Sequence, residues 1–384
     1  MEKTHRVVII GGGGVFGSRI ARALAASPDL YVVVAGRAGG QGKALAATLG
    51  CAFAEVDRDR PDLAGLAPFL VIDASGPFQA FATADYPVAR AALAAGAHYI
   101  DLSDDAAFTA GIADLDAEAR GRGLACLSGV SSVPALSAAA VRHLAPDLAD
   151  IHLIDSVILP GNRAPRGLSV VQAILAQAGR PLEEWRGGAP ARTRAWGSLR
   201  RVDLGFGPRW SSPIGAPDLV LFPKAFRARS VHFSAGLELS LLHLGLWGLA
   251  LPVRWGLVQR LTPLARPLRW IADRLQGFGT DVGGMRVRVI GTTKTGGMHE
   301  RVWTLRAAAG DGPEVPGIPA RGLTRALVQG RIAPGARASV NELDLTEATA
   351  ELLRHHIQTD ITYADFKPIF EIATGKDWLL LPAP

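Results

Sequence analysis

The order of elements predicts an α/β protein, with a doubly wound parallel sheet at the N-terminus and a second, α+β unit after it. Three observations carry this. The β-branched run Arg6 to Ile10 stops at four glycines, Gly11 to Gly14. Strand-like and helix-like stretches then alternate to about residue 145, the pattern of parallel strands joined by crossover helices. Beyond Asp150, longer strand-like runs succeed one another with Pro- and Gly-rich loops between them, which suits antiparallel pairing.

Within the strand over Arg6 to Ile10, Val7 to Ile10 is apolar without alternation, as a strand buried on both faces requires. Ser18 to Ala26 reads as a helix, Leu30 to Val34 as a strand, Lys43 to Leu49 as a helix, and Ala52 to Val56 and Phe69 to Asp73 as strands. The alternation continues with a helix over Tyr86 to Ala95, a strand over Tyr99 to Leu102, a helix over Phe108 to Arg120 and a strand over Leu124 to Leu127. Right-handed crossovers then give a sheet of about six strands. After Pro134 a helix runs to about Leu144 and leaves the first domain. Ile151 to Leu159, Arg194 to Leu204 and Met285 to Thr292 are the longer strands, and Pro319 to Gln329 and Thr346 to Ile357 are helical, the latter with Asp344 as its cap. The expected divisions are 1–145, a substrate and dimerisation domain over 146–315, and a C-terminal helical part over 316–384 that packs back on the first domain.

A chain of 384 residues exceeds the usual size of one hydrophobic core. Apolar residues at 48% and charged residues at 20% supply large cores and exclude disorder. The formal charge of +6 comes from cations scattered among acids and forms no basic block, so no nucleic-acid partner is expected. Cys51 and Cys126 have no Cys-x-x-Cys or Cys/His company, so neither a disulfide nor a metal site is expected, and a reducing cytoplasm fits. The N-terminus enters the first strand without an apolar signal region, which argues against secretion.

One segment stands apart. Gly236 to Leu251 is almost all Leu, Gly, Ala and Trp, broken by Glu238, Ser240 and His243, and Trp255 to Trp270 mixes Leu and Trp with Arg260, Arg266 and Arg269. Three readings are open for 236–270: a buried or homodimer-interface helix, an element lying on an anionic membrane surface or contacting a lipid-like substrate, and a membrane span, for which the apolar run is short.

The sharpest motif is Gly12-Gly13-Gly14-Val15-Phe16-Gly17, a GxGxxG directly after the first strand and opening the first helix. In a Rossmann domain Gly12 makes the tight turn, Gly14 admits the pyrophosphate to the backbone and Gly17 lets helix pack on strand, while the helix N-terminus, with Val15 and Phe16, offers amides to phosphate. A dinucleotide is therefore the expected ligand. Its ribose is read at the end of the second strand, where Ala35-Gly36-Arg37 holds no acid. Arg37, with Gln41 or Lys43 beside it, suits a 2′-phosphate and favours NADP(H) over NAD. Asp57 ends the third strand, where it serves either the adenine amino group or a plain turn. Ser75-Gly76-Pro77-Phe78 follows the fourth strand, where small residues let backbone lie against the nicotinamide ribose.

These stretches, with AGAHYIDLSDD from residue 95 to Asp105 and SGVSSVPALS from Ser128 to Ser137, resemble the saccharopine dehydrogenase-like family of NADP-binding oxidoreductases, and in combination they cover most of the first 140 residues. Asp311 to Glu314, Pro319-Ala320 and Gly330 to Ala336 resemble that family's C-terminal part. The resemblance implies hydride transfer between NADP(H) and a substrate carbon and leaves the substrate unnamed. Ser131-Ser132-Val133-Pro134 departs from the amino-acid-using members after the sixth strand, which speaks against saccharopine itself; a hydrophobic or lipid-like small molecule suits the 236–270 region better.

Position makes Asp101, Ser103, Asp104 and Asp105, beyond strand five, and Ser131 and Ser132, beyond strand six, the candidates for the proton step. Asp104 and Asp105 read equally well as the start and cap of the next helix. His98, His243, His299, His355 and His356 have no partners in sequence and read as structural or solvent-exposed. Two other functions fit the same text: a non-catalytic NADP(H)-binding sensor or scaffold, and a membrane-peripheral protein docking through the Leu/Trp segment.

Overall fold

A computed structural model describes residues 5–38, 40–81 and 85–366. The first strands and helices follow the expected alternation: β1 (His5–Ile10), α1 (Gly17–Ala25), β2 (Leu30–Gly36), α2 (Gln41–Leu49), β3 (Ala52–Glu55), β4 (Leu70–Asp73), α3 (Pro87–Ala94), β5 (His98–Asp101), α4 (Ala106–Gly111), α5 (Asp116–Gly121) and β6 (Ala125–Ser128). The helix expected over Phe108 to Arg120 is two short helices joined by a 3₁₀ turn over Ile112–Leu115.

Next come α6 (Ser137–Leu144), β7 (Leu148–Leu159), α7 (Leu168–Gln177), β8 (Pro181–Arg186), β9 (Ala189–Arg194), β10 (Arg200–Val202), β11 (Arg209–Pro213), α8 (Pro217–Ala225), β12 (Ser230–Gly236), α9 (Ser240–Arg254), α10 (Ala265–Arg274), β13 (Gly283–Thr293) and β14 (Met298–Ala307). The chain ends its described part with α11 (Ile318–Val328), β15 (Gly335–Ala338), α12 (Leu345–Leu352) and β16 (Ile357–Asp365).

Two compact units result, residues 5–136 with 313–351 and residues 137–312 with 352–366. The first division falls at 136/137 and not at 145, because α6 contacts β13 and β14 of the second sheet. The C-terminal part is shared between the units: α11, β15 and α12 belong to the first, and β16 pairs with β14 in the second.

The first unit holds a seven-stranded sheet in the order β15-β6-β5-β4-β1-β2-β3, parallel throughout. This is the doubly wound order with one strand added beside β6. Alternate residues of β1 serve opposite faces. Val7 and Ile9 join Ile20, Leu24, Leu323 and Leu327 under α1 and α11; Val8 and Ile10 join Val71, Val88, Leu93 and Phe108 under α3 and α4. Burial on both faces is why β1 carries no polar alternation.

The second unit is a nine-stranded mixed sheet, β10-β11-β12-β7-β13-β14-β16 with the β8–β9 hairpin attached to β12. β12 runs parallel to β7, while the pairings of β7 with β13, β13 with β14 and β14 with β16 are antiparallel. The strand expected over Arg194 to Leu204 is broken, because Trp196 takes a left-handed conformation (φ 56°) and buries its ring beside His243. Asp344 caps α12 as expected, its carboxylate accepting the amides of Thr346 (2.7 Å) and Glu347 (3.1 Å). That helix stops at Leu352, and Ile357 begins a strand. The 236–270 segment resolves into α9, a link and α10; among the described residues no helix is long and apolar enough to cross a membrane.

Candidate active site

The sequence-derived positions converge on the carboxyl ends of the parallel strands of the first unit, the edge where doubly wound sheets bind ligands. The glycine turn closes β1 onto the β4 loop. A Cβ on Gly11, whose φ is +73°, would lie 2.8 Å from the Ala74 carbonyl carbon and 2.9 Å from Ser75 Cα, so the two segments lie backbone against backbone. Gly17 is as tightly placed, its missing Cβ falling 2.4 Å from the Gly11 carbonyl oxygen. Gly14 differs: it is exposed, and only the Gly11 carbonyl, at 3.1 Å, approaches its Cβ position.

The first turn of α1 has no acidic residue and no side-chain cap, and the amides of Val15 and Phe16 donate to no backbone carbonyl of the described residues. Free amides at a helix start beside an open glycine form a concave, electropositive cradle, the fit that a pyrophosphate requires. Arg37 stands exposed at the end of β2, just before α2. Asp57 does not join the cradle: it is exposed and its carboxylate accepts the amide of Asp59 at 3.0 Å, a local turn.

Beneath the cradle lies a carboxylate that sequence reasoning passed over. Asp73, the last residue of β4, is fully buried, accepts the amide of Ser75 at 3.0 Å and the Ser75 hydroxyl, and pairs with Arg58 at 3.3 Å. The Arg58 guanidinium also lies over the Phe78 ring, 5.4 Å from its centroid. The Ser75-to-Phe78 loop is therefore pinned from below. Phe78 itself is buried against Phe108, so this loop faces the crevice with Ser75, Gly76 and Pro77 and not with the Phe78 ring. An acid closing the apolar strand Leu70–Asp73 was a legible signal; nothing in the sequence marked Arg58.

Asp101 occupies the matching position on β5, paired in register with Asp73. It is fully buried, and its Oδ1 accepts three bonds of 2.9 Å each, from the Ser103 amide, the Ser128 hydroxyl and the Gly129 amide. Burial pushes its pKa up to about 7, against the pull of those donors. Ser103 is buried too, its hydroxyl accepting the Asp105 amide (3.2 Å) and the Thr109 hydroxyl (3.0 Å). Both residues tie loops together and present no atom to the crevice, which removes them from direct contact with a substrate. Asp105 caps α4 through the Phe108 amide at 2.8 Å.

Asp104 is exposed and takes the Gln79 side-chain amide at 2.9 Å, clasping the β4 and β5 loops. Ser131 is buried and Ser132 half-buried at the start of the turn that leads from β6 toward α6. Of the candidates for the proton step, Asp104 is exposed and Asp105 and Ser132 are half-buried, with Asp105 engaged as the α4 cap. His98 and His243 are structural: Nδ1 of His98 accepts the Ala125 amide (3.0 Å), and His243 is held by the Leu237 amide (3.2 Å) and the Ser212 hydroxyl (3.0 Å).

Comparison with known proteins places this geometry. Residues 7–127 match the model of the saccharopine dehydrogenase NADP binding domain. A domain of this kind takes a nicotinamide dinucleotide as its cofactor. No curated protein matches the chain. Among solved structures, the apo saccharopine dehydrogenase (L-Glu forming) from Saccharomyces cerevisiae is 15% identical, with 94% of this chain and 100% of that chain covered at a TM-score of 0.66, a likeness of fold. GenD2 from gentamicin A biosynthesis, in complex with NAD, is 15% identical over 96% of this chain and 98% of its own (TM-score 0.44), and a probable dehydrogenase from Thermotoga maritima is 10% identical over 89% and 94% (TM-score 0.45).

Proposed function

From the premise that residues 7–127 are a saccharopine dehydrogenase NADP-binding domain, we propose that this protein is an NADP(H)-dependent oxidoreductase acting on a hydrophobic or lipid-like small molecule. The observation that carries the reading is the cradle at Gly14: open where a phosphate must approach, closed at Gly11 and Gly17 where the turn must pack. The bound dinucleotide supplies or accepts the hydride. The chain supplies position and protons. Amides at the α1 N-terminus hold the pyrophosphate, Arg37 pairs with the 2′-phosphate, and the pinned Ser75-Gly76-Pro77 backbone sets the depth of the nicotinamide end. Asp104 and Ser132 deliver or receive the proton that accompanies hydride transfer, at the carboxyl ends of β5 and β6. Asp101, Ser103 and Asp73 hold these loops without touching the substrate. The greasy composition of residues 236–270 is the only feature that favours a hydrophobic substrate class.

The test is fluorescence titration of the purified chain with NADPH and NADH. Selective NADPH binding that Arg37→Asp weakens by about tenfold or more, the loss of a charge-assisted pair, supports the assignment. Binding of neither nucleotide sinks the enzyme reading.

A further inference from the structure

The second unit carries a surface that nucleotide chemistry does not use. α9 leaves Leu241 71% exposed, and the segment that follows leaves Trp255 68% and Leu257 75% exposed, with Val258 and Leu264 beside them in sequence. Large apolar side chains thus stand in solvent at both ends of one helix, a feature of association sites. The charges among them have one dominant sign: Arg254, Arg260, Arg266, Arg269 and Arg274 stand against Asp273, and Asp273 pairs with Arg269.

At the end of α9 this surface meets a cavity of about 780 Å³. Arg192, Arg194 and Arg254 line it with the hydroxyl residues Thr193 and Ser198, against one acid, Glu183. Arg254 belongs to both features: its guanidinium donates to the Gly197 carbonyl (3.1 Å) at the cavity, and the next residue is the exposed Trp255. Arg180 donates to the Gln259 carbonyl at 3.1 Å, which keeps the Trp255-to-Gln259 segment beside the cavity wall at Pro181. Three arginines against one acid give this open pocket a net positive charge, although Arg194 donates to the Gly179 carbonyl (3.2 Å) as Arg254 does to Gly197, and an anionic group is the ligand that such a lining attracts.

We infer that this face docks on an anionic phospholipid bilayer, Trp255, Leu257 and Leu241 entering the interfacial layer while the arginine-lined cavity takes a lipid phosphate. Indole and leucine beside arginine is the chemistry of an interfacial element, in which apolar groups enter the acyl boundary and cations meet the headgroups. A second copy of this chain suits the face less well. A twofold contact would bury several arginines with a single acid among them, and interface cores are depleted of charge.

Flotation of the full chain with phosphatidylcholine vesicles, with and without phosphatidylglycerol, tests this. The expected result is flotation only with phosphatidylglycerol, lost as salt rises. Arg192→Gln and Arg254→Gln should each weaken it about fivefold, one cation's share near an anionic surface. Trp255→Ser with Leu257→Ser should abolish it while NADPH binding in the other unit persists. Should that variant fail to fold, quenching of the wild-type tryptophans by brominated phosphatidylglycerol, reduced in Trp255→Phe, gives the same answer. Equal flotation on neutral vesicles, no flotation, binding of inorganic phosphate without binding of vesicles, or a stable dimer that shields Trp255 would each overturn the inference.

Discussion

Replacing Asp101 by Asn removes a charge from a site that was never able to solvate one. The carboxyl is fully buried, its Oδ1 takes three donors, and its Oδ2 has no hydrogen-bond partner among the described residues. An Asn carbonyl can keep the three donors, and its amide fills the Oδ2 position without ionising. Burial holds the folded pKa at about 7, whereas an unfolded Asp titrates near pH 4. The folded state therefore carries the extra proton in that window. Its stabilising share is complete below about pH 4 and is lost as the pH climbs to about 7. Between about pH 5 and about pH 8 this one group should remove roughly 3 kcal/mol from the first unit, a fall of about 6–12 °C in melting temperature for a unit of this size. Asp101→Asn should flatten that decline whatever its effect at any single pH, since an unpaired amide costs the same at every pH. The two units have separate reporters: all eight tryptophans lie outside 1–136 and 313–351, while Tyr31, Tyr86 and Tyr99 lie within 1–136. Melts followed by the tyrosine near-ultraviolet signal across the pH series are the assay. Parallel profiles for wild type and Asp101→Asn would refute the buried, late-ionising carboxyl.

Asp218, fully buried in α8 of the second unit and likewise pushed to about pH 7 by burial, should act on the other reporter, so that Asp218→Asn flattens the pH dependence of the tryptophan-detected transition. In the glycine turn, Gly17→Ala drives a Cβ to 2.4 Å from a backbone carbonyl, and differential scanning calorimetry should register a loss of roughly 1–3 kcal/mol. Gly14→Ala, whose methyl meets only the Gly11 carbonyl oxygen at 3.1 Å and needs it to yield by a few tenths of an ångström, should cost less than Gly17→Ala and weaken NADPH at least about tenfold in the same titration, because the added methyl stands where the phosphate approaches. Arg321 is 2% exposed and bridges Glu314 and Glu351; Arg321→Ala removes the bridge but leaves Glu314 with Arg19 and Glu351 with Arg325, and should cost roughly 1–3 kcal/mol by urea unfolding.

The first domain was legible because its signals are local. Burial on both faces of a parallel sheet writes each strand as a short apolar run, and the backbone turn after β1 requires glycine at Gly11 and Gly17, so the strands and the glycine turn follow from consecutive residues. Asp105 and Asp344 announced themselves as caps for the same reason: a cap bonds amides two or three residues away. Adjacent residues of one type still took opposite roles. Asp101, Ser103, Asp104 and Ser132 stand alike in sequence at strand ends, but whether a side chain turns inward to clasp a loop or outward to the crevice depends on which distant amides meet it. Gly129 reaches Asp101 across 28 positions and Arg58 reaches Asp73 across 15.

Tertiary structure alone decided what arrives from far along the chain. β15 has no strand pattern of its own; Gly335 to Ala338 becomes a strand because β6 offers it an open edge and Asp116 accepts the Ala336 amide at 2.9 Å. Trp196 breaks an apparent strand to bury its ring beside His243, a residue of the later helix α9. The Leu/Trp segment could be read as core or dimer interface, as a membrane-surface or lipid-contacting element, or as a span, because hydrophobicity states that a side chain leaves water and not what it meets. Packing around α9 gave part of that answer, covering His243 and Ala250 and leaving Leu241, Trp255 and Leu257 in solvent. Local backbone chemistry thus sufficed for the nucleotide domain, while long-range contacts fixed the second sheet and the roles of the acids at the crevice.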